Sequence, residues 1–168
     1  SAPLYPDGGV GAFAVTGSLQ QGRSSATSAV LGDKLYVMSG SSNGALASIE
    51  VLGGSGSFST VPGTTLATAT QQASLVTVGS KVWSLSGSGV ANNQRATFGA
   101  AGLTSGFTNS GALPGERNSS GVVLLGGAVM LVGDTVMKLA SGWSSQANQK
   151  VWIGSVPVFV SVPLSTMV

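Results

Sequence analysis

Gly32-Asp33-Lys34-Leu35-Tyr36-Val37-Met38-Ser39-Gly40 returns as Gly79-Ser80-Lys81-Val82-Trp83-Ser84-Leu85-Ser86-Gly87, and again as Gly126-Gly127-Ala128-Val129-Met130-Leu131-Val132-Gly133-Asp134. From 32 to 79 and from 79 to 126 is 47 residues each time. A constant period of roughly 20–50 residues marks a repeat architecture, in which each copy is one supersecondary unit that buries its faces on its neighbours. Each copy is a short apolar run entered through a Gly-containing turn and closed by Gly or Asp, the pattern of a strand between two turns.

Working outward from the first copy, Thr27–Leu31 reads as a strand before the Gly32-Asp33 turn and Lys34–Met38 as the strand after it. Ala47–Leu52 follows a loop at Ser41-Ser42-Asn43-Gly44, and Phe58–Val61 follows the Gly53-Gly54-Ser55-Gly56 turn. Four short strands joined by tight connections make an antiparallel meander. The second copy predicts strands at Ala73–Val78, Lys81–Leu85, Arg95–Ala100 and Phe107–Ser110. The third predicts Val122–Leu125, Ala128–Val132 and Val136–Leu139, with a final strand at Trp143. Gly11-Ala12-Phe13 matches Gly56-Ser57-Phe58, so residues 8–16 read as a lone fourth strand ahead of the first unit. The units then cover about 23–69, 70–116 and 117–150, and 151–168 forms a strand-rich tail in one 168-residue domain.

Composition agrees with an all-β chain. Apolar residues make up 42% and charged residues 7%, with 26 Gly, and no window keeps a helical apolar period. Cys and His are both absent, which removes thiol nucleophiles, disulfides, His–Cys zinc sites and Ser-His-Asp triads. No metal, cofactor or catalytic residue is expected. The formal net charge of +2 comes from Lys and Arg spread singly, a poor match to nucleic acid. Ser1-Ala2-Pro3 lacks the charged and apolar regions of a signal peptide, which suggests a processed start. Pro157 and Pro163 break the apolar C-terminal run, so no membrane span is expected.

The small-residue-rich first strand, the Gly-Asp-Lys-Leu-Tyr-Val-Met-Ser-Gly core, the variable loop and Gly-Ser-Phe before the fourth strand together resemble kelch-type β-propellers, over Gly8 to about Trp143. The family's Gly-Gly pair after the second strand is replaced by Ser39-Gly40, Ser86-Gly87 and Gly133-Asp134. The resemblance implies kelch-like four-stranded blades, here three in number. Galactose-oxidase-like members need Tyr, His and Cys copper ligands, and without His and Cys that chemistry does not carry over. A mutarotase-like role would require Arg, Glu and Asp around a channel; that carbohydrate-active enzyme, or a fragment of a larger propeller, is the alternative to a non-enzymatic module.

In a meander, the fourth-to-first and second-to-third connections emerge at one end. That end collects varied polar residues, whereas the opposite end is mostly Gly, and function usually sits in loops on a rigid scaffold. Candidate ligand-binding residues are therefore Arg23, Asn43, Gln72, Asn92, Asn93, Arg117 and Asn118. Arg23 and Arg117 hold equivalent places two periods apart and could clamp a carboxylate, or each could tether its own loop. Trp83 and Trp143 are candidates for sugar stacking or for packing between units. The expected role is an extracellular or cell-surface adhesion head, at a fibre tip for example, that recognises a cell-surface glycan or protein. Three blades fall short of the four to eight that close a propeller. A homo-oligomer is expected, a trimer in a fibre head or a dimer pooling its blades, with 151–168 as the intersubunit strand.

Overall fold

A computed structural model describes residues 1–54, 56–113, 115–125, 128–132, 136–139 and 143–145. The tail over 151–168 lies outside the described residues. The described part is all β, in three antiparallel sheets.

Sheet 1 runs β1 (Thr27–Leu31), β2 (Lys34–Met38), β3 (Leu46–Leu52) and β4 (Phe58–Thr70) in chain order. Sheet 2 is built from β5 (Ser74–Val78), β6 (Lys81–Gly87) and β7 (Val90–Gly99); both β8 (Gly102–Leu103) and β9 (Thr108–Ala112) pair with β7. Sheet 3 runs β10 (Gly121–Leu125), β11 (Ala128–Val132), β12 (Val136–Leu139) and β13 (Trp143–Ser145). The first two strands of each sheet repeat in the same register: Ala29 faces Tyr36, Val76 faces Trp83 and Val123 faces Met130. Each of these pairs is one 47-residue step from the last.

The third strand departs from that step. Tyr36 opposite Val51 corresponds to Trp83 opposite Arg95, and Val37 opposite Glu50 to Ser84 opposite Gln94. The spacing from Glu50 to Gln94 is 44, not 47. The seven-residue connection between Met38 and Leu46 shrinks in sheet 2 to the two-residue turn Ser88-Gly89, with Gly89 at φ +72°. A two-residue hairpin needs positive φ and lets pairing start at once. Hence β7 begins at Val90, and the strand expected at Arg95–Ala100 is longer and starts earlier. β4 is likewise longer than the expected Phe58–Val61, because past register shifts near Ser48 it stays paired with β3 as far as Thr70 opposite Leu46, and it also lies near β7 and β9.

The alternation of strand side chains assigns each face a neighbour. On sheet 1 one face carries Tyr36, Met38 and Ile49, all buried against Val82 and Ala96 of sheet 2. The opposite face of sheet 2 presents Val76, Trp83 and Leu85 to Val122, Val129 and Leu131 of sheet 3. The sheets are thus stacked, and Tyr36 and Trp83 serve as packing between units. The Tyr36 hydroxyl, buried with its ring, accepts the Leu103 N–H at 3.0 Å.

The expected lone strand over 8–16 does not form. Only Val10 makes a bridge, to Leu4, and residues 1–14 fold back on themselves through Gly11 N–H to the Pro3 carbonyl and Ala14 N–H to that of Ser1. Phe13 and Val15 are 83% and 93% exposed. The reason is the topology: β3, β7 and β12 each already have an outer partner in β4, β9 and β13, so no described third strand is free to pair with this segment.

Candidate functional site

The end that holds the fourth-to-first and second-to-third connections is stitched by backbone hydrogen bonds. Ser41 N–H donates to the Ser24 carbonyl at 2.8 Å, and one period later Ser88 N–H donates to that of Gln71 at 2.9 Å. Between sheets, Gln72 N–H donates to the Ser25 carbonyl at 3.1 Å and Ser119 N–H to the Gln72 carbonyl at 3.0 Å. Ser25, Gln72 and Ser119 are equivalent positions, and all three are left-handed, with φ of +52°, +58° and +51°. Three non-glycine residues held there, where side chains are disfavoured, form a continuous backbone column through the first strands.

Several expected ligand residues sit at this end. Asn43 is exposed in the Ser39–Ala45 connection at φ +58°, Asn118 is exposed before β10, and Gln72 is half-buried in the column. Arg117 is half-buried, with its backbone N–H donated to Ser86 Oγ at 2.7 Å.

Three of the expected residues need correcting. Asn93 is fully buried, and it and Asn92 are in strand β7 rather than a loop, because the short Ser88-Gly89 turn draws them into the ladder. Arg23 is interior: its side chain is 0% exposed and ion-paired to Glu50 at 2.7 Å. One guanidinium nitrogen donates to the Ser39 and Ser48 carbonyls, the other to Ser48 Oγ and Glu50, and Nε–H points to the Gln21 carbonyl. A guanidinium has five N–H donors, and all five are spent here. Arg23 is a tether, and the two-arginine clamp is not formed.

A pocket opens at the opposite end instead. About 190 Å³ in volume, it is lined by Lys81, Arg95, Ala96, Thr97, Ser105, Gly106 and Thr108. Strand register gathers them: Lys81 is opposite Thr97, and Arg95 is opposite both Trp83 and Thr108. The Arg95 guanidinium lies over the Trp83 ring, 5.6 Å from its centre, which holds it in place without neutralising it. Ser105 Oγ accepts Thr97 N–H at 2.9 Å, tying the third-to-fourth connection to β7 beside the pocket. Two cations and three hydroxyl-bearing residues thus surround one small space.

This pocket was not singled out from sequence, because Lys81 and Arg95 are fourteen positions apart and meet only through the shifted register of β7. Trp83 is half-buried beneath Arg95, so its stacking surface is already taken by a guanidinium. Among the described residues no group of three His, Cys, Asp or Glu could hold a metal ion, and no helix is long and apolar enough to cross a membrane. No protein-family model matches this chain, and no curated protein matches it.

Proposed function

We propose that this chain is a non-enzymatic recognition module of propeller type, displayed on a cell surface or fibre tip, that binds an acidic cell-surface glycan. The observation that carries the reading is the Lys81–Arg95 pocket. Arginine offers a planar fork to a carboxylate or sulfate, and lysine adds a compact point charge beside it. Stacking on Trp83 lowers the entropy lost when Arg95 engages a ligand. Thr108 adds a hydroxyl of the kind that pairs with sugar hydroxyls, while those of Thr97 and Ser105 bond each other and brace the wall. Nothing in this set needs to move a proton or bear a covalent intermediate.

The test is binding to immobilised glycans that differ only in a carboxylate or sulfate. The wild-type chain should retain the acidic forms and not the neutral ones. Lys81→Ala and Arg95→Ala should each lower retention at least tenfold with unfolding transitions close to wild type. Equal binding of neutral and acidic glycans, or undiminished binding by the double variant, overturns the proposal.

A further inference from the structure

We infer that the ligand is a linear glycan with an acid group on alternate sugars, and that a second acid group, beyond the one in the Lys81–Arg95 pocket, is met by Lys34. This deepens the pocket reading and rests on it.

Lys34 and Lys81 are the first residues of β2 and β6, and both are exposed. They are one 47-residue period apart, so they hold equivalent places in sheets 1 and 2. Those two sheets pack on one another through Tyr36, Met38, Ile49, Val82 and Ala96. Stacked sheets lie about 10 Å apart. The two lysines therefore stand at the same end of the stack, one sheet spacing from each other.

The hairpin between β7 and β8 joins the two positions. Gly102 pairs with Gly99 across it. A Cβ on Gly102 would stand 3.4 Å from Lys34 Cδ, so the lysine stem lies along the hairpin backbone. The next residues lead straight to the pocket. Thr104 N–H donates to the Thr97 carbonyl at 2.9 Å, and Thr97 is opposite Lys81. Thr104 Oγ1 donates to Thr97 Oγ1 at 3.1 Å, Thr97 Oγ1 to Ser105 Oγ at 2.9 Å, and Ser105 Oγ to the Gly106 carbonyl at 3.1 Å. Every proton in that series is spent. Thr104 is exposed at its head, with oxygen lone pairs open to a sugar hydroxyl. Lys34, Thr104 and the pocket thus make one polar track over the hairpin.

Charge decides the class of ligand. Among the described residues the ion pair is Arg23–Glu50, which leaves Lys34, Lys81 and Arg95 without an acidic partner. Lys81 and Arg95 share the pocket and converge on one acid group, whereas Lys34 lies outside its lining. A single acidic sugar serves the pocket alone. Serving all three cations takes acid groups separated by about one sheet spacing, as in a chain that alternates acidic and neutral sugars. Once the first group is seated, the second is held at high effective concentration, so an exposed lysine adds measurably to affinity. Asp33 is exposed beside Lys34 and weakens the attraction at that end, which leaves the pocket the stronger of the two positions.

The test uses even-numbered oligosaccharides of hyaluronan and of chondroitin sulfate, from the disaccharide upward, ranked by competition against the immobilised polymer. Wild-type affinity should rise at least tenfold from the disaccharide to the hexasaccharide and then level off. Lys34→Gln, which keeps the stem and removes the charge, should bind every length as wild type binds the disaccharide, with an unchanged unfolding midpoint. Lys34→Arg should keep the gain. Asp33→Asn should tighten the longer chains a few-fold and leave the disaccharide as it is. Equal wild-type affinity at every length, or a gain that survives Lys34→Gln, overturns this inference and leaves the pocket standing. Binding of neither series at any length, or binding untouched in the Lys81→Ala/Arg95→Ala double variant, overturns the pocket reading and this inference with it.

Discussion

Arg23 and Glu50, 27 positions apart in the chain, form an ion pair at 2.7 Å with neither side chain exposed by more than 1%. Sheet 2 solves the same problem without charge. Thr70, one period after Arg23, donates its hydroxyl to the Ser86 carbonyl at 3.3 Å, as Arg23 donates to that of Ser39, and Gln94 replaces Glu50. Two charges taken out of water recover their desolvation cost only when every donor and acceptor is met, as they are here.

Removing one partner strands the other. Arg23→Ala or Glu50→Gln alone should lower stability by about 3–5 kcal/mol. The double variant Arg23→Thr/Glu50→Gln, which copies sheet 2, should return to within about 1 kcal/mol of wild type. Denaturant unfolding of the four proteins checks this; equal losses in the double and single variants would show that the pair does more than the neutral solution can.

Gly32 sits at φ +65°, and a Cβ there would collide with the carbonyl oxygens of Gly99 and Ala100. Both the left-handed backbone and the close approach of two sheets require glycine. Gly32→Ala should cost about 2–4 kcal/mol, the sum of a left-handed penalty and overpacking. A thermal midpoint within a degree of wild type would contradict the packing of sheet 1 on sheet 2.

At Gln72, also left-handed, the side chain is tolerated but not preferred. A β-branched residue is less at ease there, so Gln72→Val should destabilise by about 1–2 kcal/mol, whereas Gln72→Gly should be nearly neutral. Hydrogen exchange at the Ser119 amide, which donates to the Gln72 carbonyl, should speed up in the valine variant and not in the glycine variant.

Tyr36→Phe keeps the ring against sheet 2 and removes the acceptor of the Leu103 N–H. Leaving that donor unmet should cost about 1–3 kcal/mol. Ile49→Ala, at a fully buried position in the same cluster, should cost about 2–5 kcal/mol. Equilibrium unfolding ranks the two; a Tyr36→Phe loss larger than that of Ile49→Ala would mean the hydroxyl, not the apolar contact, dominates the interface.

Much of the scaffold was legible in the chain itself. A 47-residue recurrence of Gly turns and apolar runs determined the first two strands of every unit, because turn chemistry and period-2 alternation are local properties. Thr27–Leu31, Lys34–Met38 and Ala128–Val132 are observed with the expected bounds. The third strand was not legible in the same way, since its register depends on whether seven residues or two close the hairpin, and that choice moved Asn92 and Asn93 from loop to ladder. The fate of Arg23 also lay beyond the sequence: a lone arginine near a loop looks the same whether it meets solvent or a buried carboxylate 27 positions away. Residues 8–16 resemble a strand, yet a strand needs a partner edge, and only the three-dimensional count of edges reveals that each third strand is already paired. The Lys81–Arg95 pocket arises in the same manner, from pairing between strands rather than from any motif along one of them.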